Sequence, residues 1–156
     1  MKRKEIPFFL DLLIDNSRIP FTDIAKKLLI SAGTVHVRVK KMEEFGIIKG
    51  ASLALDYKKL GYTFIAYIGI FLEKTHLTNY VLEKLDSIPY ATVAHITTGR
   101  FNIFCKVRCK DTDHAKEIIF MIDDIEGVSR TETMISLEES INDKKRLMHK
   151  IFNEIK

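Results

Sequence analysis

Apolar positions in the first part of the chain recur at helical spacing. Ile6, Phe9, Leu10 and Leu13 fall at i, i+3, i+4 and i+7 and share one face of an amphipathic helix over residues 3–15. The segment Asn16 to Pro20 breaks it. Thr22 is placed to cap a second short helix running through Leu29, with Ile24, Ala25 and Leu28 inward. Ser31 is the next capping residue. Val35, Val39 and Met42 then mark the inner face of a third helix, which Gly46 closes. Three short helices, the second and third joined by a turn of about four residues, predict a helix-turn-helix.

Beyond Gly46 the period changes. The stretch "IIKGASLALDYKKLG" reads as extended, with Ile47 to Leu55 as a wing or linker strand. "YTFIAYIGIFLE" is rich in aromatic and β-branched residues and predicts a strand. Leu77 to Ile88 is helical with Val81, Leu82 and Leu85 inward, and Pro89 ends it. "TVAHITTG" and "RFNIFCKVRC" are two strands joined by a tight turn at Gly99 and Arg100. Asp111 or Thr112 caps a helix through about Ile125. Gly127 stops it, and "VSRTETMISLEES" alternates as a last strand. The order β, α, β, β, α, β after residue 61 specifies a ferredoxin-like sheet with both helices on one face. The expected class is therefore α+β, a winged helix-turn-helix followed by a ferredoxin-like βαββαβ domain. The divisions are residues 1–50 for the helix-turn-helix, 51–61 for a linker or hinge strand, 62–141 for the ferredoxin-like domain and 142–156 for a basic terminal helix.

Composition narrows the function. With 46% hydrophobic and 29% charged residues the 156-residue chain is an ordinary folded protein. No apolar run reaches the roughly 20 residues of a membrane span, so a soluble, cytoplasmic protein is expected, with no membrane partner. Asp11 and Asp15 interrupt the N-terminal apolar run, which is read as a helix and not as a signal sequence. Cys105 and Cys109 lie four apart on one face of a predicted strand, which suits reduced packing cysteines. The net charge is only +4, yet residues 1–60 hold twelve Lys and Arg against seven Asp and Glu. The basic excess sits in the helical head, as a nucleic-acid-binding domain joined to a neutral one would have it.

The third helix carries the candidate chemistry. With Val35, Val39 and Met42 inward, His36, Val37, Lys40 and Lys41 point out, and Ser31, Ala32, Gly33 and Thr34 form its exposed N-terminal end. A recognition helix enters the major groove by that end, where small side chains admit close approach. Thr34, His36 and Val37 are the base-reading candidates, and Arg38, Lys40 and Lys41 the phosphate contacts. Against this stands an ordinary solvated helix face, with Arg38 paired to an acidic neighbour. Residues 142–155 pose the same choice, since Lys144, Lys145, Arg146 and Lys150 suit either phosphate contacts or a solvated basic face.

The combination of "FTDIAKKLLISAGTVHVRVKKMEEFGIIKG", "LDYKKLG", "HITTGRFNIFCKV" and "RTETMISL" resembles the leucine-responsive and asparagine-regulator (Lrp/AsnC) family of transcription factors, from about Ile6 to Leu137. The resemblance implies an N-terminal helix-turn-helix for double-stranded DNA and a ligand-sensing βαββαβ domain. It also implies dimers that assemble further, commonly into octameric rings, with a small-molecule effector, usually an amino acid, bound between subunits. Ala25, Val35, Arg38, Val39, Met42, Glu43 and Gly46 match the family's pattern, while Leu29 stands where the family has a glycine. Gly99 matches the glycine of the effector loop and places an effector site at Thr98, Gly99, Arg100, Phe101 and Asn102. Arg100 and Asn102 replace the acidic residues usual there, and Arg100 favours a carboxylate or another anion.

Two other readings stay open. Some tetrapyrrole-processing decarboxylases resemble this family in both domains, and in such an enzyme His95 and Arg100 would hold a carboxylate-rich macrocycle. A sensor-only assembly protein, its helix-turn-helix spoiled at Leu29, is the other. His36, His76, His95, His114 and His149 show no metal-ligand spacing, so neither a metal nor a cofactor is expected. Glu138 and Glu139, being adjacent on a predicted strand, make no carboxylate dyad.

Overall fold

The computed structural model describes residues 6–143 and 145–155; the predicted helical positions 3–5 and Lys144 lie outside them. The chain divides into two compact units. One joins the segment up to Ala54 with the segment from Ile141 onward, and the other is Leu55–Ser140.

In the first unit α1 (Ile6–Asp15), α2 (Phe21–Leu28) and α3 (Ala32–Glu44) close over Phe9, Ile24, Ala25, Val35, Val39 and Met42, all buried. These are the residues whose helical spacing marks the inner faces. α2 starts one residue before Thr22. Pro20 occupies its N-cap at φ −59, and the Pro20 carbonyl accepts from Asp23 and Ile24 at 2.9 and 3.2 Å, so no side chain caps the helix. Ser31 does cap α3, its Oγ accepting from the Thr34 N–H at 3.1 Å. Gly46 ends α3 at φ 68, with the Ile47 N–H reaching back to the Met42 carbonyl at 2.9 Å. The terminal helix α6 (Arg146–Ile155) lies against α1 in the same unit. Phe152 meets Phe8 edge-on at 5.0 Å, and His149 Nδ1 sits 2.8 Å from Asp11. Lys145 Nζ donates to Asp15 at 3.1 Å and holds its carboxyl below the usual range.

Leu29, between α2 and α3, has φ 55 and ψ 43 and is the one described non-glycine residue with positive φ. The left-handed conformation lets the Ile30 N–H bond the Ala25 carbonyl at 3.0 Å and turns the chain into α3. A side chain there costs roughly 1–2 kcal/mol, and at 92% exposure it recovers nothing by burial. Leu29→Gly is therefore expected to stabilise this unit. The gain should be about 0.5–1 kcal/mol after the greater freedom of the unfolded glycine is subtracted. Urea unfolding checks it, and an equal or lower midpoint refutes it.

The expected wing or linker strand is not formed, and residues 45–63 hold no strand. An extended segment becomes a strand only by pairing its N–H and C=O groups, and no described strand lies beside it. Exposed Leu53 and Leu55 lead instead into a turn at Asp56–Gly61.

The second unit has the predicted order. β1 (Phe64–Leu72), α4 (Thr78–Asp86), β2 (Ala91–Ile96), β3 (Ile103–Cys109), α5 (Thr112–Asp123) and β4 (Val128–Ile135) form an antiparallel sheet ordered β2-β3-β1-β4. Ala66, Ile68 and Ile70 of β1 and Ile103, Cys105 and Val107 of β3 face α4 and α5, whose Val81, Leu85, Ile118 and Ile122 complete the core. β4 stops short of the expected residue 140. The Ser136 N–H makes the last ladder bond, to Ile65 at 2.9 Å, where β1 itself begins. Cys105 and Cys109 are free and buried on the helix side of β3. Burial pushes the Cys105 thiol up to about 11 and raises that of Cys109, so neither is a ready nucleophile.

Candidate nucleic-acid interface and sensor turn

α3 divides cleanly by exposure. Val35 and Met42 are fully buried and Val39 nearly so, whereas Gly33, His36, Val37, Lys40 and Lys41 are exposed. Ser31 is exposed, and Ala32 and Thr34 are half-buried. The Ser31 and Thr34 hydroxyls lie 2.8 Å apart, so the capping pair is internally hydrogen-bonded at the end of the helix that would face a groove. The His36 ring leans on Phe21 of α2, with centroids 6.0 Å apart. Arg38 is half-buried, its guanidinium 5.5 Å over the Phe9 ring, which ties it to the domain's packing. All nine predicted DNA-contact residues thus lie on α3 or its cap; six are exposed, and Ala32, Thr34 and Arg38 are half-buried.

The helix-free side of the sheet carries a second constellation. Tyr67, Gly69 and Phe71 of β1 share it with Phe104, Lys106 and Arg108 of β3, with His95 and Val93 of β2, and with Arg130, Glu132 and Met134 of β4. Tyr67 stacks on Phe104 at 5.7 Å, Phe104 on Phe101 at 5.9 Å, and Phe101 meets Phe71 edge-on at 5.2 Å. Arg130 covers Phe71 at 3.9 Å.

The Thr98–Asn102 turn closes onto this aromatic strip. Arg100 pairs with Glu132 at 2.6 Å and lies 5.9 and 5.8 Å over the Phe71 and Phe101 rings. Asn102 extends the sheet. Its side-chain oxygen accepts from the Leu72 N–H at 3.0 Å and its own N–H bonds the Ile70 carbonyl at 3.0 Å. Thr98 and Gly99 are exposed. No pattern in the sequence pointed to Glu132, because it reaches Arg100 from a strand 32 residues away. Lys106 likewise finds Glu139 at 2.8 Å.

Gly69 is where β1 admits the Phe101 ring, since a Cβ built there would overlap it. Gly69→Ala is expected to displace that ring and cost about 1–3 kcal/mol through overpacking. Thermal unfolding of the variant checks this, and an unchanged melting temperature refutes it.

A family model for the Lrp/AsnC ligand binding domain matches residues 65–145, and one for winged helix-turn-helix DNA-binding matches residues 10–49. The chain is 38% identical over 133 residues to the regulatory protein AsnC of Escherichia coli K12, covering 85% of this chain and 88% of that one. The chain belongs to the Lrp/AsnC family. It is similar as well to the transcriptional regulator LrpA of Pyrococcus horikoshii, 35% identical over 131 residues that span 83% of this chain and 92% of LrpA. The solved structure of Escherichia coli AsnC superposes with a TM-score of 0.87 at 35% identity, over 92% of this chain and 96% of that one. A Neisseria meningitidis transcriptional regulator solved in complex with L-Met shares the fold, with a TM-score of 0.84 at 15% identity over 92% and 94% of the two chains. As a member of the Lrp/AsnC family the chain is a DNA-binding transcriptional regulator. Its relatives bear regulator names, which decides against the tetrapyrrole decarboxylase. Among the described residues no helix is long and apolar enough to cross a membrane.

Proposed function

We propose that this regulator acts in the cytoplasm as a homodimer or higher oligomer such as an octamer, docks α3 of each protomer in the major groove of duplex DNA, and is governed by a small molecule at the Thr98–Asn102 turn. The division of labour is a DNA-binding head over residues 1–50, a linker at 51–61, a sensing and oligomerising domain at 62–141 and a terminal segment at 142–156 that carries α6. The observation that carries the DNA side is the partition of α3: Val35, Val39 and Met42 turn inward, apolar and buried, while Lys40 and Lys41 stand outward on the same helix as the small-residue N-terminus. Ser31, Ala32, Gly33 and Thr34 approach the groove, Thr34, His36 and Val37 read bases, and Arg38, Lys40 and Lys41 neutralise phosphates. The strip of Tyr67, Phe71, Phe101 and Phe104 supports burial of the helix-free sheet face by a second copy, and a two-fold pair presents two copies of α3 to a pseudo-palindromic site.

At the turn, Arg100 and Glu132 set a guanidinium beside a carboxylate. That pair suits a zwitterion such as a free amino acid, whose carboxylate takes Arg100 and whose ammonium takes Glu132; L-Met in the Neisseria meningitidis complex belongs to this class. Thr98, Gly99 and Phe101 shape the rest of this site, and Asn102 holds its floor to β1. Mobility shift at two salt concentrations, with random duplex and with the DNA upstream of the gene, tests the reading. The expected result is salt-sensitive binding that prefers the upstream DNA and shifts with one amino acid among the twenty. Absence of duplex binding at low salt refutes it and favours the sensor-only protein.

A further inference from the structure

The centre of the outward face of α3 is not charged. Gly33 and Val37, one turn apart, lie opposite the buried Val35, Val39 and Met42, with Lys40 and Lys41 flanking them one turn further on. Neither residue serves the unit's own packing. A Cβ at Gly33 would meet only the Ser31 Oγ at 3.9 Å, an ordinary contact, and the backbone there is plain helix. Glycine at that place weakens the helix relative to alanine and relieves no clash inside the domain. Val37 is 52% exposed, a β-branched apolar side chain standing in water on a helix. Both make physical sense once a surface is pressed against them.

Resting on the reading of α3 as the recognition helix, we infer that Val37 is a specificity-determining residue that reads the 5-methyl group of a thymine in each half-site, with Gly33 leaving the helix backbone room to come that close. The major groove offers one apolar group, the thymine methyl, and it is the natural partner of an aliphatic side chain. Lys40 and Lys41 beside Val37 reach the phosphates, where they set register without reading sequence. A thymine in the register of Val37 is thus fixed by contact, while the lysines accept any base sequence.

The test starts from duplexes selected out of a random pool by the full-length protein. Each thymine of the selected site is replaced in turn by deoxyuridine, which keeps the base pair and removes only the methyl. One position per half-site is expected to lose about three- to five-fold in affinity, the value of one buried methyl-sized group. Val37→Ala, at an exposed position that leaves the fold intact, should bind the thymine site more weakly and lose the preference for thymine over deoxyuridine there. Gly33→Ala should raise the melting temperature of the head yet weaken the selected site by ten-fold or more. Equal affinity for every deoxyuridine duplex, or a Val37→Ala variant that still discriminates, overturns the inference while the DNA-binding reading survives. Failure of the wild-type chain to retain any duplex in a salt-sensitive way overturns both.

Discussion

Phe9→Ala is expected to unfold the DNA-binding unit and leave the four-stranded sheet standing. Phe9 is 1% exposed and is the one aromatic side chain fully buried in the helical core, among Ile24, Val35 and Met42. Truncating a buried phenylalanine costs about 3–5 kcal/mol through lost transfer energy and the cavity left behind. A small helical unit has little more than that to lose, since native stabilities amount to about 5–15 kcal/mol. The Arg38 guanidinium loses its aromatic seat in the same change. The sheet unit has its own core of Ile68, Ile70, Ile103, Val107, Ile118 and Ile122, in which Phe9 takes no part. Circular dichroism of the full chain should show helical signal lost at low temperature while a second, β-rich transition keeps its midpoint, and duplex binding should vanish. Loss of both transitions together would show that the two units fold as one, against the division drawn here.

The second large effect falls on affinity alone. Lys40→Ala with Lys41→Ala is expected to weaken binding to every duplex, selected or random, and to flatten its salt dependence. Each phosphate contact contributes about 0.9 to the slope of log affinity against log salt, so four lysines in a two-fold pair account for about 3.6. Both side chains are exposed on α3 and hold no core position, so the unfolding free energy should stay within about 0.5 kcal/mol of the parent. Titration across salt concentrations measures the slope directly. An unchanged slope would place both lysines off the DNA and return them to the solvated helix face that the sequence also allows. The two variants separate the causes of lost binding: one removes the fold that presents α3, the other removes charge from an intact fold.

Much of this molecule is legible in its one-dimensional pattern because both units bury one face of each element. Helical spacing marks Phe9, Val35, Val39 and Met42, since burial on one face imposes the period of the element on the apolar residues. Those same periods put Lys40, Lys41 and Val37 outward on α3. β1 is legible as a strand from its aromatic and β-branched residues, but its unbroken apolar run does not mark Ala66, Ile68 and Ile70 as the ones that face the helices. Capping is legible where a side chain does it, as at Ser31, and hidden where backbone does it, as at Pro20. Leu29 could be recognised only as a departure from the glycine expected there, and its left-handed backbone follows from the need to satisfy the Ala25 carbonyl and redirect the chain.

What the sequence by itself determined is the order of the helices and of the sheet strands, the inner faces of α1 to α4 and the outward face of α3, because these depend on neighbours within a turn or a strand. Only the tertiary structure decided the Arg100–Glu132 pair, the Asn102 cap on β1, the Phe101 ring over Gly69 and the seat of α6 against α1. Those contacts join residues from different elements, and where two such elements meet depends on strand register and helix packing, for which no local period exists. The missing wing has the same cause. An extended segment carries the composition of a strand in its own residues, but it becomes one only when another chain segment lies alongside to take its hydrogen bonds.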